Sequence, residues 1–236
     1  MVKVGRKRAK WYPTYVHMVY ERPSDSGILC SFILAIGIIG NLLVIIVILT
    51  SSVLRSSTNL FLLNLSVADL LVLATCTPTW MVEIVIRHDA WIMGKAMCYL
   101  VTFVENSVSH TSILTILAIT VERYYAICLP LKASVVCTKS KACLTCIMVW
   151  IMAFGLTSPV LAMITYTSGG PNTDPGCYTN VETYWQKFYF IFIIIVFFFI
   201  PFLILVLLYI KIARNLVPSP ASSNEDGTND QVSQSI

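Results

Sequence analysis

Long apolar segments recur five times along the chain and are separated by short polar stretches. Each segment has about 20 or more residues and few charges, which as a helix spans the roughly 30 Å hydrocarbon core of a bilayer. The pattern therefore predicts an all-α membrane protein with five transmembrane helices. We place these helices at residues 27–51, 58–85, 96–128, 140–166 and 186–214.

Polar segments flank this membrane domain, residues 27–214, at both ends. Residues 1–26 hold a cluster of lysine and arginine but no apolar stretch of the kind found in a signal peptide, which favours an uncleaved extracellular tail. Residues 215–236 are polar and of low complexity, which predicts a disordered tail on the cytoplasmic side.

The composition agrees with a membrane protein and excludes one other class. Of the 236 residues, 57% are hydrophobic and 12% are charged, whereas soluble domains carry about 25% charged residues. The net charge of +4 is small, and the basic residues lie mostly at the ends of apolar segments. A nucleic-acid-binding surface needs basic residues clustered on a polar face, so we expect no nucleic-acid partner.

Lysine and arginine near the segment ends predict the orientation, because these residues are retained on the cytoplasmic side. The inner side would carry Arg55, Arg123, Lys132, Lys139, Lys141, Lys211 and Arg214, and the outer loops Arg87, Lys95 and Lys187. The basic cluster of the amino-terminal tail is set aside, since the rule applies within about 15–20 residues of a span. If that cluster were counted, the outer side would carry more basic residues than the inner side.

Eight cysteines are distributed along the chain, mostly inside apolar segments where a free thiol behaves as a small core residue. They are Cys30, Cys76, Cys98, Cys128, Cys137, Cys143, Cys146 and Cys177. The C-x-x-C pair at Cys143 and Cys146 has neither a second pair nor a neighbouring histidine, and it begins a membrane segment. A structural role is therefore favoured over zinc or redox chemistry.

The third segment combines several chemically informative residues. It begins near Cys98 and ends with Glu122, Arg123 and Tyr124, followed by Pro130. An ionisable group in hydrocarbon must be paired or face an internal cavity, and Glu122 precedes an arginine that it could neutralise. Cys98 lies about a membrane thickness from this triplet, at the opposite end of the helix.

These residues resemble the third helix of the rhodopsin-like (class A) G-protein-coupled receptors, which has a disulfide cysteine at its outer end and Asp/Glu-Arg-Tyr at its inner end. Further matches lie at Gly40-Asn41, Asp69, Trp91-x-x-Gly94, Trp150, Pro159, Pro201 and Tyr209. The resemblance implies a disulfide between Cys98 and Cys177, the cysteine of the second outer loop. It also implies a G-protein-coupling switch of Glu122, Arg123, Tyr124 and Tyr209.

Asp69 is the acid of the second segment, and an intramembrane acid is functional by default. The resemblance implies that Asp69 and Ser112 hold a structural sodium ion, with Asn41 in the same polar network. The alternative is a neutral Asp69, protonated because burial disfavours the charged form. We expect no other cofactor.

The outer half of the third segment carries the expected ligand pocket of Glu105, Asn106 and Ser109. Glu105 is a buried acid near the outer surface and suits a basic group on a ligand. His110 is at least as consistent with an internally satisfied residue. The motif Tyr209-x-x-Ile-x-x-x-Leu is typical of peptide-binding members, and the chain is most similar to the ghrelin, thyrotropin-releasing-hormone and neuromedin receptor group.

The resemblance implies a plasma-membrane receptor, not an enzyme, for an extracellular neuropeptide or peptide hormone. Its partners would be the peptide, a heterotrimeric G protein and arrestin in a complete form, the lipid bilayer and a receptor dimer partner. The sequence shows only five of the seven helices of such a receptor bundle, which indicates a truncated chain.

Two alternatives remain open at this point. One is a non-signalling truncated isoform that is retained in the endoplasmic reticulum or associates with a full-length receptor. The other is a transporter or channel subunit, although the two halves of the chain show no internal repeat of the kind many transporters have. A membrane enzyme would need clustered acids or histidines, whereas Asp69, Glu105 and Glu122 are dispersed.

Overall fold

The computed structural model describes residues 23–51, 56–86, 90–170 and 173–216. For 23–26 and 83–86 it describes the backbone alone. Most of the two expected tails, and the topology residues Arg55 and Arg87, lie outside the described residues. The described chain is almost entirely helical, which confirms the expected all-α membrane class.

Seven α-helices and one hairpin make up the described chain. The helices are α1 (Pro23–Thr50), α2 (Ser57–Ile86), α3 (Gly94–Cys128), α4 (Pro130–Val136), α5 (Lys139–Thr157), α6 (Tyr184–Ile194) and α7 (Ile200–Leu216). A 3₁₀ turn (Ser158–Ala162) follows α5, and a π turn (Ile195–Phe199) joins α6 to α7 into one continuous rod. The strands β1 (Ile164–Thr167) and β2 (Gly176–Thr179) form an antiparallel hairpin.

Five helices in the described residues are long and apolar enough to cross a membrane, as the hydrophobic pattern predicts. They run over Gly27–Thr50, Ser57–Val82, Gly94–Cys128, Lys139–Ala162 and Tyr184–Leu216. The short helix α4, in the loop after the third span, was not predicted. It begins at Pro130, whose fixed backbone angle suits the first turn of a helix.

The fourth span, α5, leaves regular α-helix earlier than the sequence indicates. The expected segment reached residue 166, but regular helix stops at Thr157 and β1 begins at Ile164. Pro159 lacks a backbone N–H, which favours the tighter 3₁₀ turn there. The uncharged run after it is rich in β-branched residues, and periodicity alone cannot distinguish such a short strand from helix.

The fifth span contains a local widening just before Pro201. Pro201 has no N–H to donate to the carbonyl of Phe197. The residue before it, Ile200, donates its N–H to the carbonyl of Ile195, five residues earlier, which is the π-helical pattern. This π turn rotates the following residues relative to the preceding helix. Phe197, within the turn, is buried against the rest of the bundle.

Helix α3 lies at the centre of the described bundle and packs against α2, α5 and α7. Its buried positions are mostly small or hydroxylated, including Ser107, Thr111, Thr115 and Thr120. Small residues allow helices to approach closely where apolar burial gives no driving force between them. The hydroxyls of Thr111, Thr115 and Thr120 donate to carbonyls one turn earlier in α3, so each hydroxyl proton is satisfied within that helix.

Candidate functional site

A disulfide closes the outer end of the bundle. Cys98, near the start of α3, is bonded to Cys177 in β2, with the two Cα atoms 5.7 Å apart. This confirms the expected disulfide. Tyr166 of β1 pairs with Cys177 across the hairpin, so the bond fastens both strands above the third helix. The hydroxyl of Tyr99 adds a hydrogen bond to the carbonyl of Ile164 at 3.2 Å.

The Trp91-x-x-Gly94 motif forms the turn that leads into α3. The indole N–H of Trp91 donates to the carbonyl of Gly94 at 2.8 Å, and Gly94 has a φ of 76°, a conformation that favours glycine. The backbone N–H of Trp91 bonds to the carbonyl of Pro175 in the outer loop. The motif therefore positions the first outer loop against the hairpin.

The three expected ligand-pocket residues lie together on α3, beneath this disulfide-fastened end. Glu105 and Asn106 are half-buried, and Ser109 is exposed. The Ser109 hydroxyl donates to the main-chain oxygen of Glu105, and the Asn106 amide donates to the carbonyl of Thr102. Because Ser109 follows Glu105 by one turn, both occupy one face of the helix. The three residues are therefore neighbours on the outer half of α3.

His110 faces the interior and has its own partners. Its side chain is 6% exposed, its Nδ1 lies 2.9 Å from the hydroxyl of Thr157, and its ring stacks on Phe197 at 3.9 Å between centroids. The interaction joins the third, fourth and fifth spans. This agrees with the internally satisfied reading of His110. Sequence reasoning missed Thr157 and Phe197, since only the fold and the π turn bring them to the histidine.

Asn64 forms a polar junction in the middle of the bundle that sequence reasoning also missed. Its amide donates to the hydroxyl of Thr115 at 2.9 Å, and its side-chain oxygen accepts from the indole of Trp150 at 2.8 Å. One amide therefore links the second, third and fourth spans. The available signal was a polar residue deep in an apolar segment, which usually marks an interhelical hydrogen bond.

Within the described residues, no hydrogen bond joins the three expected sodium-network residues to one another. The Asn41 amide donates to the carbonyl of Gly37 in its own helix at 2.9 Å. Asp69 is exposed, with no hydrogen bond among the described residues, and Ser112 is half-buried. Carboxylate and hydroxyl oxygens are donors that suit a hard cation, but two of them leave most of its coordination to other groups. The fit to sodium is therefore partial.

At the inner end, Glu122 is held by a neighbouring helix. Its carboxylate is 8% exposed and accepts hydrogen bonds from the hydroxyls of Ser57 and Thr58 of α2, the latter at 2.8 Å. Arg123 is exposed, and it forms no ion pair within the described part of the chain. The expected ion pair of Glu122 with Arg123 is replaced by the hydrogen bonds of Glu122 to α2, because consecutive helical residues point about 100° apart. Glu122 therefore faces α2 while Arg123 faces away.

The two tyrosines of the expected switch have different surroundings. Tyr209 of α7 is 58% exposed, and Tyr124 of α3 is half-buried beneath the Lys211 ammonium, which lies 5.8 Å from its ring centroid. Tyr124 also lines a cleft of about 300 Å³ between the inner ends of α3 and α7. We call this the inner cleft; its lining residues are Tyr124, Cys128, Lys211, Arg214 and Asn215.

The loop beyond α3 packs closely against the Glu122 region. The thiol of Cys137 lies 3.9 Å from the main-chain oxygen of Glu122. Burial raises the pKa of the Cys137 thiol, the charge of Glu122 raises it further, and Lys141 acts in the opposite sense. The thiol is therefore protonated at neutral pH and is a poor nucleophile.

Comparison with known proteins matches the chain to one receptor family. The family model described as 7 transmembrane receptor (rhodopsin family) matches residues 40–235. A QRFP-like peptide receptor of Branchiostoma floridae is 34% identical over 188 residues, which cover 76% of this chain and 48% of the relative. The chain thus spans about half the length of that relative.

Two further relatives are also named as receptors. The growth hormone secretagogue receptor type 1 of Oryctolagus cuniculus is 37% identical over 135 residues, covering 57% of this chain and 36% of the relative. The cholecystokinin receptor type A of the same species is 29% identical over 199 residues, covering 83% of this chain and 46% of the relative. These similarities confirm the resemblance to peptide receptors of the ghrelin receptor group.

Proposed function

The chain belongs to the rhodopsin family of seven-transmembrane receptors, and we propose that it supplies the first five spans of a receptor for an extracellular peptide that signals to a heterotrimeric G protein. The family consists of receptors and not of enzymes, which agrees with the expectation that the chain is not an enzyme. The family and the apolar spans make it a multi-pass protein of the plasma membrane. The observation that carries the proposal is the disulfide-fastened hairpin above the Glu105 face of α3.

The peptide would bind at this outer end. Ser109 is exposed and Glu105 is only half-buried, so we expect an extracellular ligand to reach the acid. A carboxylate in a partly desolvated site pairs well with a basic ligand group, because a charge-assisted hydrogen bond is roughly twice as strong as a neutral one. We therefore assign to Glu105 the recognition of a lysine, an arginine or an amino terminus in the peptide, supported by Asn106.

The inner end would carry the coupling function. Arg123 and Tyr209 are exposed there, and Glu122 is fixed by Ser57 and Thr58. This arrangement supports a division of labour in which Glu122 anchors α3 to α2 while Arg123 is available to a cytoplasmic partner. The G protein would bind at Arg123, with Tyr209 stabilising the open state and Tyr124 supporting α7. Arrestin would recognise the same end.

A sodium ion at Asp69, in one polar network with Ser112 and Asn41, is part of the same proposal. Asp69 is exposed to a space where bilayer or further helices must lie, and a carboxylate in that setting requires a counter-charge or a proton. Sodium would supply the counter-charge in the inactive state. A receptor dimer partner would also find its contacts on the uncovered flanks of α3 and α7.

The proposal is tested by ligand-dependent nucleotide exchange. Residues 1–216 are joined to the sixth and seventh spans of a growth hormone secretagogue receptor and exposed to a panel of peptides with and without basic residues. We expect basic peptides to activate the fusion, and Glu105→Gln to lower their potency about tenfold or more through loss of a charged hydrogen bond. Glu182→Gln, at an exposed outer-loop acid, is the control. Absence of exchange with every peptide contradicts the proposal.

A second candidate function is supported by the exposure of Asp69 within a span. A charged group on an uncovered helix face favours association with other helices that can satisfy it. The chain would then bind a full-length receptor of the family and reduce its signal. Co-expression with such a receptor distinguishes this candidate, because Asp69→Leu would weaken association while leaving the inner end unchanged.

A further inference from the structure

The register of the outer hairpin decides which backbone groups point away from it. The N–H of Asn180 donates to the carbonyl of Met163, and in an antiparallel ladder hydrogen-bonded pairs alternate with non-bonded ones. Thr165 and Tyr178, two residues further along each strand, therefore form the next hydrogen-bonded pair. The backbone groups of the alternate residues of β2 consequently point away from β1.

These outward groups, the N–H and C=O of Cys177 and Thr179, form an open strand edge. Within the described residues no hydrogen bond reaches them. The first outer loop covers only the start of this edge, where the N–H of Trp91 donates to the carbonyl of Pro175. The other edge of the hairpin, on β1, is bonded to α3. An open edge is a template for pairing with an extended segment.

The open edge of β2 belongs to the outer end of α3, where the nearest acid of that helix is Glu105. Cys177 is bonded to Cys98. Glu105 follows Cys98 by seven residues, which is about 10 Å along the helix axis, and it is the one acid of the outer half of α3. An occupant of the edge that carries basic residues beside its extended segment is therefore favoured.

The chain itself carries a segment of that kind. Residues 1–22 precede α1 and lie outside the described residues. Their sequence contains Thr14–Tyr20, here called the tail segment, which is rich in the β-branched and aromatic residues that favour strands and directly follows Pro13. Five basic residues precede it, a cluster that neither peptide binding nor coupling explains: Lys3, Arg6, Lys7, Arg8 and Lys10.

The tail segment starts from the correct side of the membrane and is close enough. Ser57, at the start of α2, bonds to Glu122 at the inner end of α3, so α1, which ends just before it, begins at the outer surface at Pro23. Helix α1 packs on α2 and α2 on α3, two steps of about 8–10 Å each. Val16 precedes Pro23 by seven residues, which extend over about 23 Å.

We propose that the tail segment pairs with the open edge of β2 as a third strand and that the basic cluster binds Glu105, so that the tail competes with the peptide ligand. Strand addition is a common mode of binding for extended segments. Because the segment is tethered, its effective concentration is about millimolar, and a few backbone hydrogen bonds suffice. The competition rests on the proposed function, whereas the pairing needs neither ligand nor G protein.

Hydrogen exchange in lipid nanodiscs tests the pairing. The 236-residue chain is compared with a chain that begins at Pro23, and exchange is read at single amides by fragmentation mass spectrometry. We expect the amides of Cys177 and Thr179 to exchange about tenfold more slowly in the longer chain, because the added strand accepts from them. Mapping of the disulfide of Cys177 checks that both chains are folded.

Paired proline variants of the 236-residue chain test the tail segment without shortening it. Val16→Pro together with His17→Pro removes one strand donor whichever way the segment faces, and it should restore fast exchange of the edge. Val2→Pro together with Val4→Pro, outside the segment, is the matched control and should leave the edge protected. Glu105→Gln should reduce the protection, since it removes the charge that the basic cluster binds.

Peptide potency in the fusion that carries the sixth and seventh spans tests the competition. Deletion of residues 1–22 should raise the potency of a basic peptide about tenfold, as expected if the site is free about a tenth of the time. Unchanged potency overturns the competition. A fusion that no peptide activates contradicts the proposed function alone, because the pairing is measured without ligand.

Three results of hydrogen exchange overturn the pairing. They are equal exchange of the β2 edge in the longer and shorter chains, equal effects of the two proline pairs, and protection that persists without residues 1–22. If that persistent protection disappears when each nanodisc holds a single copy, the edge pairs with a second copy of the chain instead.

Discussion

The indole N–H of Trp150 donates a 2.8 Å hydrogen bond to the side-chain oxygen of Asn64, whose amide in turn donates to Thr115. Two side chains that are far apart in sequence thereby fix the second span against the fourth, with the third between them. In a bilayer, where apolar burial does little to hold helices together, such contacts set the relative positions of the spans.

The first prediction concerns this junction. Asn64→Leu removes both interhelical hydrogen bonds and should lower the free energy of unfolding by about 1 kcal/mol. A double-mutant cycle with Trp150→Phe should give a coupling energy of about 0.6 kcal/mol, measured by unfolding in micelles. Thr50→Val, which loses a bond only within its own helix, is the control. A zero coupling energy would contradict a direct bond.

The second prediction concerns the anchoring of Glu122 by α2. Thr58→Val deprives a buried carboxylate of a donor and should cost about 1.5–3 kcal/mol of stability, since the bond involves a charged group. Ser57→Ala should have a similar effect, and the double variant should lose more stability than either single variant. Thermal unfolding of the purified chain measures this. Ser134→Ala, at an exposed hydroxyl of the short helix α4, should be neutral, and equal stability of all variants would refute the anchor.

The third prediction concerns the disulfide. Peptide mapping without reduction should recover the fragment joining Cys98 to Cys177, and Cys177→Ser should lower stability by about 2–5 kcal/mol. The cause is release of the hairpin from α3 and a less restricted unfolded chain. Cys143→Ser, at an exposed free thiol, should change little. Recovery of both Cys98 and Cys177 as free thiols would contradict both the disulfide and the assigned topology.

The fourth prediction concerns sodium. In the fusion that carries a sixth and seventh span, Asp69→Asn should abolish sodium dependence of ligand binding, because the carboxylate that compensates the ion is lost. Radioligand or fluorescent-peptide binding with sodium or a larger monovalent cation measures it. Asp174→Asn, at an exposed outer-loop acid, should preserve the dependence. Unchanged sodium sensitivity of the Asp69 variant would rule out the site.

The fifth prediction concerns the 236 residues expressed alone. We expect no ligand-dependent activation of a G protein, since in the family the inner cavity is walled by the third, fifth and sixth helices and opens by movement of the sixth. Without the sixth helix no two-state element remains for a ligand to bias. Nucleotide exchange with a peptide panel measures this, and the fusion described above is the positive control. Robust exchange by the 236 residues alone would disprove it.

The sequence by itself determined the membrane class and the number of spans, and the family resemblance implied the disulfide. Length and hydropathy suffice for the spans, because a bilayer forces each one to be a continuous apolar helix of fixed length. The boundary after Thr157 was not predictable, since a short uncharged β-branched run reads equally as helix or strand. The family motifs located Cys98 and Glu122 in the chain and indicated their ends of the bundle.

Only the tertiary structure decided what those residues contact. Glu122 binds Ser57 and Thr58, not its neighbour Arg123, because helix geometry turns adjacent side chains away from each other. His110 meets Phe197 only through the π turn before Pro201, a backbone irregularity with no reliable sequence pattern. The inner cleft arises where two helix faces meet. Such contacts depend on the rotation of each helix about its axis, which hydropathy does not specify.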